Sequence, residues 1–221
     1  MNKPEMILLD LDGTLVDSVP DLAFCVDELM RRLGCPPRGE GRVRDWVGNG
    51  VERLVKRALT GDMTAEPDPA AFAEAMAIFN ELYLANSAVR SRLFPGVQDG
   101  LERLQSAGCK LGCVTNKAAR FTEPLLTQLG IQGFFGIVVS GDTTPYKKPH
   151  PGPLLHAADF FKVGPQHSLM VGDSRHDVEA ARAAAFKVVC VSYGYNHGED
   201  IRSATPDAVI DSLNQLPNLF D

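Results

Sequence analysis

The sequence predicts an α/β fold: a doubly wound parallel sheet with a Rossmann-like core and an inserted α-helical cap. First, strand-like and helical patterns alternate from residue 93 onwards. Second, the strand-like runs are continuously apolar, which is typical of parallel strands covered by helices on both faces. Third, residues 17–92 contain helical patterns and no convincing strand. We therefore predict a core of residues 1–16 and 93–221 and a helical cap of residues 17–92.

The chain begins with an apolar run at 6–9 that predicts the first strand. A helix is expected next, because Ser18 can act as its N-cap, Pro20 fits the first turn and Asp21 completes a capping box. Apolar residues then recur at helical spacing until Gly34 ends the run. Further cap helices are predicted at 40–47, 50–59 and 69–89.

Beyond the cap, helices and strands alternate, as in a sheet built from parallel strands with helical crossovers. The first strand joins the later strands in one sheet. In chain order the predicted elements are helix 97–107, strand 110–115, helix 118–129, strand 136–141, helix 151–161, strand 168–173, helix 176–185, strand 187–193 and strand 207–210.

Composition limits the classes of partner. The chain has 221 residues, is 44% hydrophobic and carries a net charge of −6. Such a surface disfavours nonspecific binding to nucleic acid and to anionic membranes, so neither is expected as a partner. We expect no signal peptide and no transmembrane stretch. The five cysteines include no Cys-x-x-Cys pair, which indicates reduced thiols and a cytoplasmic location. A monomer and a homodimer both stay open.

Polar side chains stand where the first strand ends and at three later strand ends or following loops. In open α/β sheets the carboxyl ends of the strands face one crevice, in which ligands bind. We therefore expect these side chains to converge on a single site. The residues are Asp10, Asp12, Thr14, Thr115, Asn116, Lys148, Asp173 and Asp177.

The carboxylates of this set predict a metal site. Asp10, Asp12 and Asp173 would repel one another unless a cation neutralises them, and their hard oxygen atoms favour Mg²⁺. Gly13 permits the chain to leave the strand, so that Asp10 and Asp12 can both face the crevice. One carboxylate can then act as a nucleophile and the other as a general acid and base.

The remaining polar groups suit a phosphate. Thr115 and Asn116 can donate hydrogen bonds to its oxygen atoms, and Lys148 can balance its charge. A substrate that carries a phosphoryl group is therefore expected. The alternative for Thr115 and Asn116 is a helix cap for 118–129.

Four stretches resemble the ordered motifs of the haloacid dehalogenase-like superfamily, and the helical insert resembles its C1 cap. They are Asp10-Leu11-Asp12-Gly13-Thr14, Thr115, Lys148 and Gly172-Asp173-x-x-x-Asp177. The resemblance implies that Asp10 is the nucleophile and Asp12 the general acid and base. It also implies Mg²⁺ bound by the side chains of Asp10 and Asp173 and by the backbone carbonyl of Asp12.

The same resemblance implies the remaining roles. Thr115 and Lys148 would steady the phosphoryl group, Thr14 would support the site, and Asp177 would orient Lys148 or a metal-bound water. An acidic residue at position 12 indicates a phosphatase or mutase and argues against a dehalogenase.

Residues 11–22, 46–50, 54–59 and 148–154 are similar to bacterial phosphoglycolate phosphatases. This similarity implies hydrolysis of 2-phosphoglycolate to glycolate and phosphate. In the cap, Gly48, Asn49 and Gly50 would contact the leaving group, because glycines let backbone N–H groups approach a small anion.

Several alternatives stay open at this point. The enzyme could hydrolyse another small ester, such as a sugar phosphate or a nucleotide, or it could be a phosphomutase. A phospho-accepting signalling module is a further alternative from a different class. The glycines at 48 and 50 also suit an ordinary turn between helices. Trp46 is expected in the cap core, Lys147 at the surface, and Arg53, Lys56 and Arg57 on a solvated helix face.

Overall fold

A computed structural model describes residues 1–220. The element bounds lie within a few residues of those predicted, and α4 ends three residues before the predicted limit. In chain order the elements are β1 (Met6–Leu9), β2 (Val16–Asp17), α1 (Val19–Arg32), α2 (Glu40–Trp46), α3 (Val51–Thr60), α4 (Pro69–Asn86), β3 (Arg92–Leu93), α5 (Val97–Ser106), β4 (Lys110–Val114), α6 (Ala119–Gln128), β5 (Ile137–Val139), α7 (Gly152–Phe161), β6 (Ser168–Gly172), α8 (Arg175–Ala183), β7 (Lys187–Val191) and β8 (Ala208–Ile210). Short 3-10 helices span Gln132–Phe134, Pro165–His167, Ile201–Ala204 and Leu213–Leu219.

Six strands form one parallel sheet in the order β5-β4-β1-β6-β7-β8. β1 lies at the centre, with Ile7 opposite Leu111 on one side and Leu169 on the other. The connections turn outwards in opposite directions from β1, so a crevice opens at the carboxyl ends of β1, β4 and β6. The predicted doubly wound α/β fold is confirmed.

Both faces of β1 are buried, which explains its continuous apolar run. Ile7 and Leu9 belong to a hydrophobic cluster that also holds Leu101 and Leu125 from α5 and α6. Met6 and Leu8 point to the opposite face and belong to a second cluster with residues of α7 and α8. Successive side chains of a strand face opposite sides, so both faces need apolar residues.

Helices α1 to α4 surround a third hydrophobic cluster, which includes Trp46, Phe79 and Tyr83. Trp46 is only 6% exposed, so its predicted place in the cap core is confirmed. On this packing we propose that residues 17–92 form the cap and that residues 1–16 and 93–221 form the core.

The prediction of no strand within residues 17–92 is wrong at both ends of that segment. β2 and β3 form an antiparallel pair in which Asp17 lies opposite Arg92. This two-stranded ribbon joins the cap to the core. Strands of two residues show no alternation, so the sequence pattern gave no sign of them.

The predicted capping box of α1 is also wrong. Ser18 is the N-cap residue, but its side chain makes no capping hydrogen bond and finds no partner within residues 1–220. The buried Asp21 carboxylate instead accepts hydrogen bonds from the backbone N–H groups of Arg90 and Ser91 and from the Ser91 hydroxyl, at 2.7–3.1 Å. This contact ties α1 to the chain that enters β3.

Arg57 does not lie on a solvated face as predicted. Its guanidinium donates to the carbonyl oxygens of Trp46 and Met63, at 2.5 and 3.1 Å. Burial lowers the pKa of Arg57 to about 10. The neighbouring Arg53 and Lys56 pair with Glu66 at the surface.

All five cysteines are free thiols, in line with the expected reduced state. Within residues 1–220, no helix combines the length and the apolar character that crossing a membrane would require.

Candidate active site

A cavity lies at the carboxyl ends of β1, β4 and β6, beneath the loop between α2 and α3. The core contributes Asp10, Asp12, Thr115, Asn116 and Lys148 to its lining, and the cap contributes Gly48 and Gly50. The cavity has a volume of about 30 Å³. Because one water needs about 10–15 Å³, this space holds only a few waters in the structure.

The turn after β1 brings Asp10 and Asp12 to this cavity. The backbone N–H of Asp10 still bonds to the Val171 carbonyl at 2.9 Å, as in a strand, and the chain then turns. Gly13 has φ = 93°, which favours glycine, and a Cβ there would collide with the Asp173 carboxylate. The glycine therefore serves both the turn and the close approach of β6.

Lys148 holds two of the carboxylates together. Its ammonium group lies 2.7 Å from Asp10 and from Asp177, and it donates to the Val114 carbonyl at 2.8 Å. These partners use all three of its N–H donors. Burial acts to lower the pKa of Lys148, but Asp10 and Asp177 outweigh it and raise that pKa.

Asp177 contacts Lys148 directly, as it must if its implied role is to orient Lys148. Its second oxygen accepts hydrogen bonds from the Ser174 N–H and hydroxyl, at 3.1 and 2.8 Å, and forms the capping box of α8. Asp173 accepts from the Thr14 hydroxyl at 2.8 Å and from the Tyr195 N–H at 2.6 Å. The residues at 14, 173 and 177 are thus fixed around the site.

The acidic cluster carries excess negative charge. Carboxylate oxygens of Asp10, Asp173 and Asp177 all lie within 4.8 Å of one another. Burial raises the pKa of Asp10 to about 7 against the pull of Lys148, and burial together with the Asp10 charge raises the pKa of Asp173 well above its usual value. Both carboxyls therefore favour a proton, or a cation, in place of a bare charge.

Two buried lysines balance only part of this charge. Lys117, which follows the β4 motif, donates to both oxygens of Asp12 at 2.9 and 3.1 Å. Four carboxylates, those of Asp10, Asp12, Asp173 and Asp177, thus face two ammonium groups. The two remaining negative charges and the all-oxygen donor set fit one Mg²⁺.

Thr115 and Asn116 lie at the predicted place, but the Asn116 side chain is already engaged. Its carbonyl accepts from the Lys148 N–H at 3.0 Å, and its amide donates to the carbonyls of Lys148 and Gly48 at 3.0 and 3.1 Å. It therefore joins the Lys148 loop to the cap loop. Neither residue caps α6, whose first N–H bonds to Asp142 instead.

The cap loop reaches the cavity through its glycines. Gly48 and Gly50 have φ values of 118° and 82° and line the cavity. The Asn49 side chain instead contacts the Nε2 atom of His176 on α8, at 2.7 Å. Asn49 therefore connects the cap to the core in this structure.

Comparison with known proteins identifies the family. Residues 7–191 match the sequence profile of the haloacid dehalogenase-like hydrolases. The chain belongs to this family. A relative named phosphoglycolate phosphatase in Nitrosococcus oceani is 62% identical over 220 residues, covering 100% of this chain and 98% of its own. Another of that name in Thiobacillus denitrificans is 47% identical, covering 94% and 91%.

Solved structures agree with this assignment. The crystal structure of a predicted phosphoglycolate phosphatase from Haemophilus somnus is 35% identical to this hydrolase, with a TM-score of 0.93 and 99% of each chain covered. The predicted resemblance to the superfamily and the prediction of a hydrolytic enzyme are confirmed.

Sequence reasoning missed one residue of this hydrolase's site. Lys117 is 4% exposed and lines the cavity, yet it was not singled out. Its position directly after Thr115 and Asn116, at the end of an apolar strand, was the available signal. A lysine in such a loop ordinarily faces solvent, and only the tertiary contact with Asp12 distinguishes this one.

Proposed function

We propose that this hydrolase is a Mg²⁺-dependent phosphatase that converts 2-phosphoglycolate to glycolate and phosphate. The observation that carries the proposal is the 62% identity, over essentially both whole chains, to a relative with that name. The lining of the cavity supports it, because the core side carries polar groups that suit a phosphate and the cap side carries Gly48 and Gly50.

In the proposed reaction, an oxygen of the Asp10 carboxylate attacks phosphorus in line with the ester oxygen. The bond from phosphorus to the glycolate oxygen breaks, and that oxygen takes a proton from Asp12. The product of this step is an aspartyl-phosphate at Asp10. Water then attacks phosphorus and gives its proton to Asp12, and the bond from Asp10 to phosphorus breaks, which releases phosphate.

The other polar residues hold the phosphoryl group. The Thr115 hydroxyl accepts from the Lys117 N–H at 3.1 Å, which leaves its own hydrogen to donate to a phosphoryl oxygen. Lys148 stands against Asp10 and adds positive charge where the phosphoryl oxygens lie. We propose that Asn116 acts through the backbone of its loop, since its side chain bonds to Lys148 and Gly48.

The side chains of Asp10 and Asp173 and the backbone carbonyl of Asp12 would hold the metal. Bound Mg²⁺ supplies charge neutralisation between these carboxylates and the phosphoryl oxygens. Asp177 would orient Lys148, with which it shares a 2.7 Å contact. Thr14 would fix the Asp173 carboxylate through its 2.8 Å hydrogen bond.

In the cap, the backbone of Gly48 and Gly50 would close over the leaving group, and Asn49 would hold that loop to α8. The proposed partner is thus a small phosphomonoester, without nucleic acid or membrane. The five free cysteines support a cytoplasmic location. Sedimentation of the purified protein would distinguish the monomer from the homodimer.

The test is phosphate release from a panel of esters, with Mg²⁺ and with EDTA. The panel contains 2-phosphoglycolate, glucose phosphates, nucleoside monophosphates and an aryl phosphate. We expect Mg²⁺-dependent release with 2-phosphoglycolate preferred by at least about 100-fold in kcat/KM. Preference for another ester would overturn the substrate, and release of no phosphate, with isomerisation of a sugar phosphate, would indicate a mutase.

The nucleophile has its own test. Asp10→Asn keeps the shape of the side chain and removes its nucleophilic oxygen charge, so turnover should fall by about 10⁴-fold or more. The far-UV circular dichroism spectrum should stay that of the wild type. Retained turnover in a purified, folded sample would refute the covalent mechanism.

A further inference from the structure

Lys117 is a buried cation in the site. The reaction steps above give it no role. Its side chain is 2% exposed, and its ammonium lies against the Asp12 carboxylate on one side and 5.0 Å from the centre of the Tyr83 ring on the other. Burying an ammonium group costs several kcal/mol unless a partner compensates it. Asp12 is that partner in the structure, and the position of Lys117 next to the reacting groups also lets it receive a ligand that needs a positive charge.

The other lysine of the cavity cannot serve that ligand. Lys148 already donates to Asp10, Asp177 and the Val114 carbonyl, so its three N–H donors are used at the phosphoryl end. Lys117 has one acidic partner, Asp12, and faces an aromatic ring with its remaining side. The rest of the cap-side wall is apolar and consists of Leu22, Val47, Val51 and Leu54.

A phosphorylated acid carries one more negative group than a phosphomonoester whose leaving group is uncharged. Its carboxylate must enter this enclosed space and lose its water, which is costly unless a cation receives it. We propose that Lys117 is the specificity-determining residue that binds the carboxylate of the leaving group. This inference rests on the proposed function and names the group that distinguishes 2-phosphoglycolate from phosphate esters of the same size whose leaving group is uncharged.

The geometry implies an exchange of partners. The substrate carboxylate would take over the Lys117 ammonium from Asp12, so the buried cation stays paired throughout. Asp12, which loses its cation in this exchange, takes up a proton from solvent, turns to the ester oxygen that leaves and gives it that proton. An ester without a carboxylate would leave Lys117 bound to Asp12 and would be hydrolysed slowly.

The first experiment compares 2-phosphoglycolate with 2-hydroxyethyl phosphate, which lacks only the charged end. For the wild type we expect kcat/KM to favour 2-phosphoglycolate by about 100-fold or more. Lys117→Met keeps the length of the side chain and removes its charge, so this preference should shrink to less than about threefold. Lys117→Arg should keep most of the preference.

Lys147→Met is the matched control. This lysine is exposed, and its ammonium lies 3.7 Å from where a Cβ on Gly50 would stand, but it does not line the cavity that Lys117 lines. Lys147→Met takes one positive charge from the protein, as Lys117→Met does, but touches no cavity contact. We expect the preference for 2-phosphoglycolate to change by less than about threefold. An equal loss in both variants would overturn the assignment to Lys117.

A binding measurement covers the case in which Lys117→Met fails to fold because Asp12 is left unpaired. Asp12→Asn frees Lys117, so this variant should bind 2-phosphoglycolate at least about tenfold tighter than the wild type, with no such gain for 2-hydroxyethyl phosphate. The double variant Asp12→Asn with Lys117→Met removes both charges and should lose that gain. Calorimetric titration in the presence of Mg²⁺ measures both ligands.

The outcomes separate the two proposals. If the wild type has no preference for 2-phosphoglycolate, the proposed function fails together with this inference. If the wild type has the preference and Lys117→Met keeps it, only this inference is overturned. If Lys117→Met loses activity equally for both esters, Lys117 merely positions Asp12, and the inference is again overturned.

Discussion

The pKa of Asp10, at about 7, links proton release to metal binding. The unfolded value is 3.8, so the contribution of this carboxyl to the stability of the metal-free protein is fully present below pH 3.8 and is lost as the pH rises through 7. Mg²⁺ must displace the proton from Asp10. We therefore expect the apparent Mg²⁺ affinity to fall by at least about tenfold per pH unit below pH 7, because the Asp173 pKa is raised as well.

Calorimetric titration with Mg²⁺ between about pH 5 and pH 9 measures this dependence. The Mg²⁺-induced rise in Tm should likewise be larger at high pH than at low pH. Affinity that does not change across this range would contradict the protonation of Asp10 in the metal-free site.

Asp177 gives a second prediction for a single residue. Its carboxylate is fully buried and compensates Lys148 while capping α8 through Ser174. Asp177→Ala removes one of the three partners of the buried Lys148 ammonium and leaves the buried N–H groups at the start of α8 unpaired, so the free energy of unfolding should fall by about 3 kcal/mol. Urea denaturation measures it. Asp159→Asn, which removes an exposed ion pair with Lys162, should leave stability unchanged, and equal effects would refute the argument.

Single residues were predictable where a strand ended beside them. Asp10, Asp12, Thr115 and Asp173 follow apolar runs, and parallel strands must place their carboxyl ends together. The engaged amide of Asn116 and the burial of Lys117 were not predictable, because their partners lie far away in sequence. Asn116 contacts Gly48, 68 residues away, and Lys117 contacts Asp12, 105 residues away.

At the level of elements, the join between cap and core depends on Asp21. This carboxylate of α1 accepts hydrogen bonds from Arg90 and Ser91, next to β3. Asp21→Ala leaves those buried donors unpaired and should lower the free energy of unfolding by about 3 kcal/mol. The control is Glu28→Gln, whose surface ion pairs with Arg31 and Arg32 are worth less than about 1 kcal/mol.

Chemical denaturation of both variants measures how much each one lowers the free energy of unfolding. A loss for Asp21→Ala no larger than that for Glu28→Gln would show that the β2–β3 join does not depend on this carboxylate.

The local pattern around Ser18 suggested a capping box, but the long-range contact 70 residues away determined where Asp21 points. The helical spacing of apolar residues located the long helices correctly. A strand of two residues is too short to show an alternating pattern.

For the whole molecule, the hydrophobic clusters show how the cap and the core share packing. Phe121 of α6 and Tyr195 near the sheet are buried in the cluster of the cap helices. The ring of Phe121 lies 4.7 Å from that of Tyr83, which lies 5.5 Å from that of Phe79. The cap therefore completes its core with residues of the catalytic unit, so the two units should unfold together.

Trp46 makes this cooperativity measurable, because it is the one tryptophan of the chain and lies in the cap. Urea transitions followed by its fluorescence and by far-UV circular dichroism should coincide. Phe121 lies outside the cap in sequence, yet Phe121→Ala should lower the midpoints of both transitions together. The free energy of unfolding should fall by about 3–5 kcal/mol. Phe160→Ala, at a position 56% exposed on α7, should change neither. If Phe121→Ala shifted the fluorescence transition alone, the cap would unfold separately from the core, and their shared packing would not couple them.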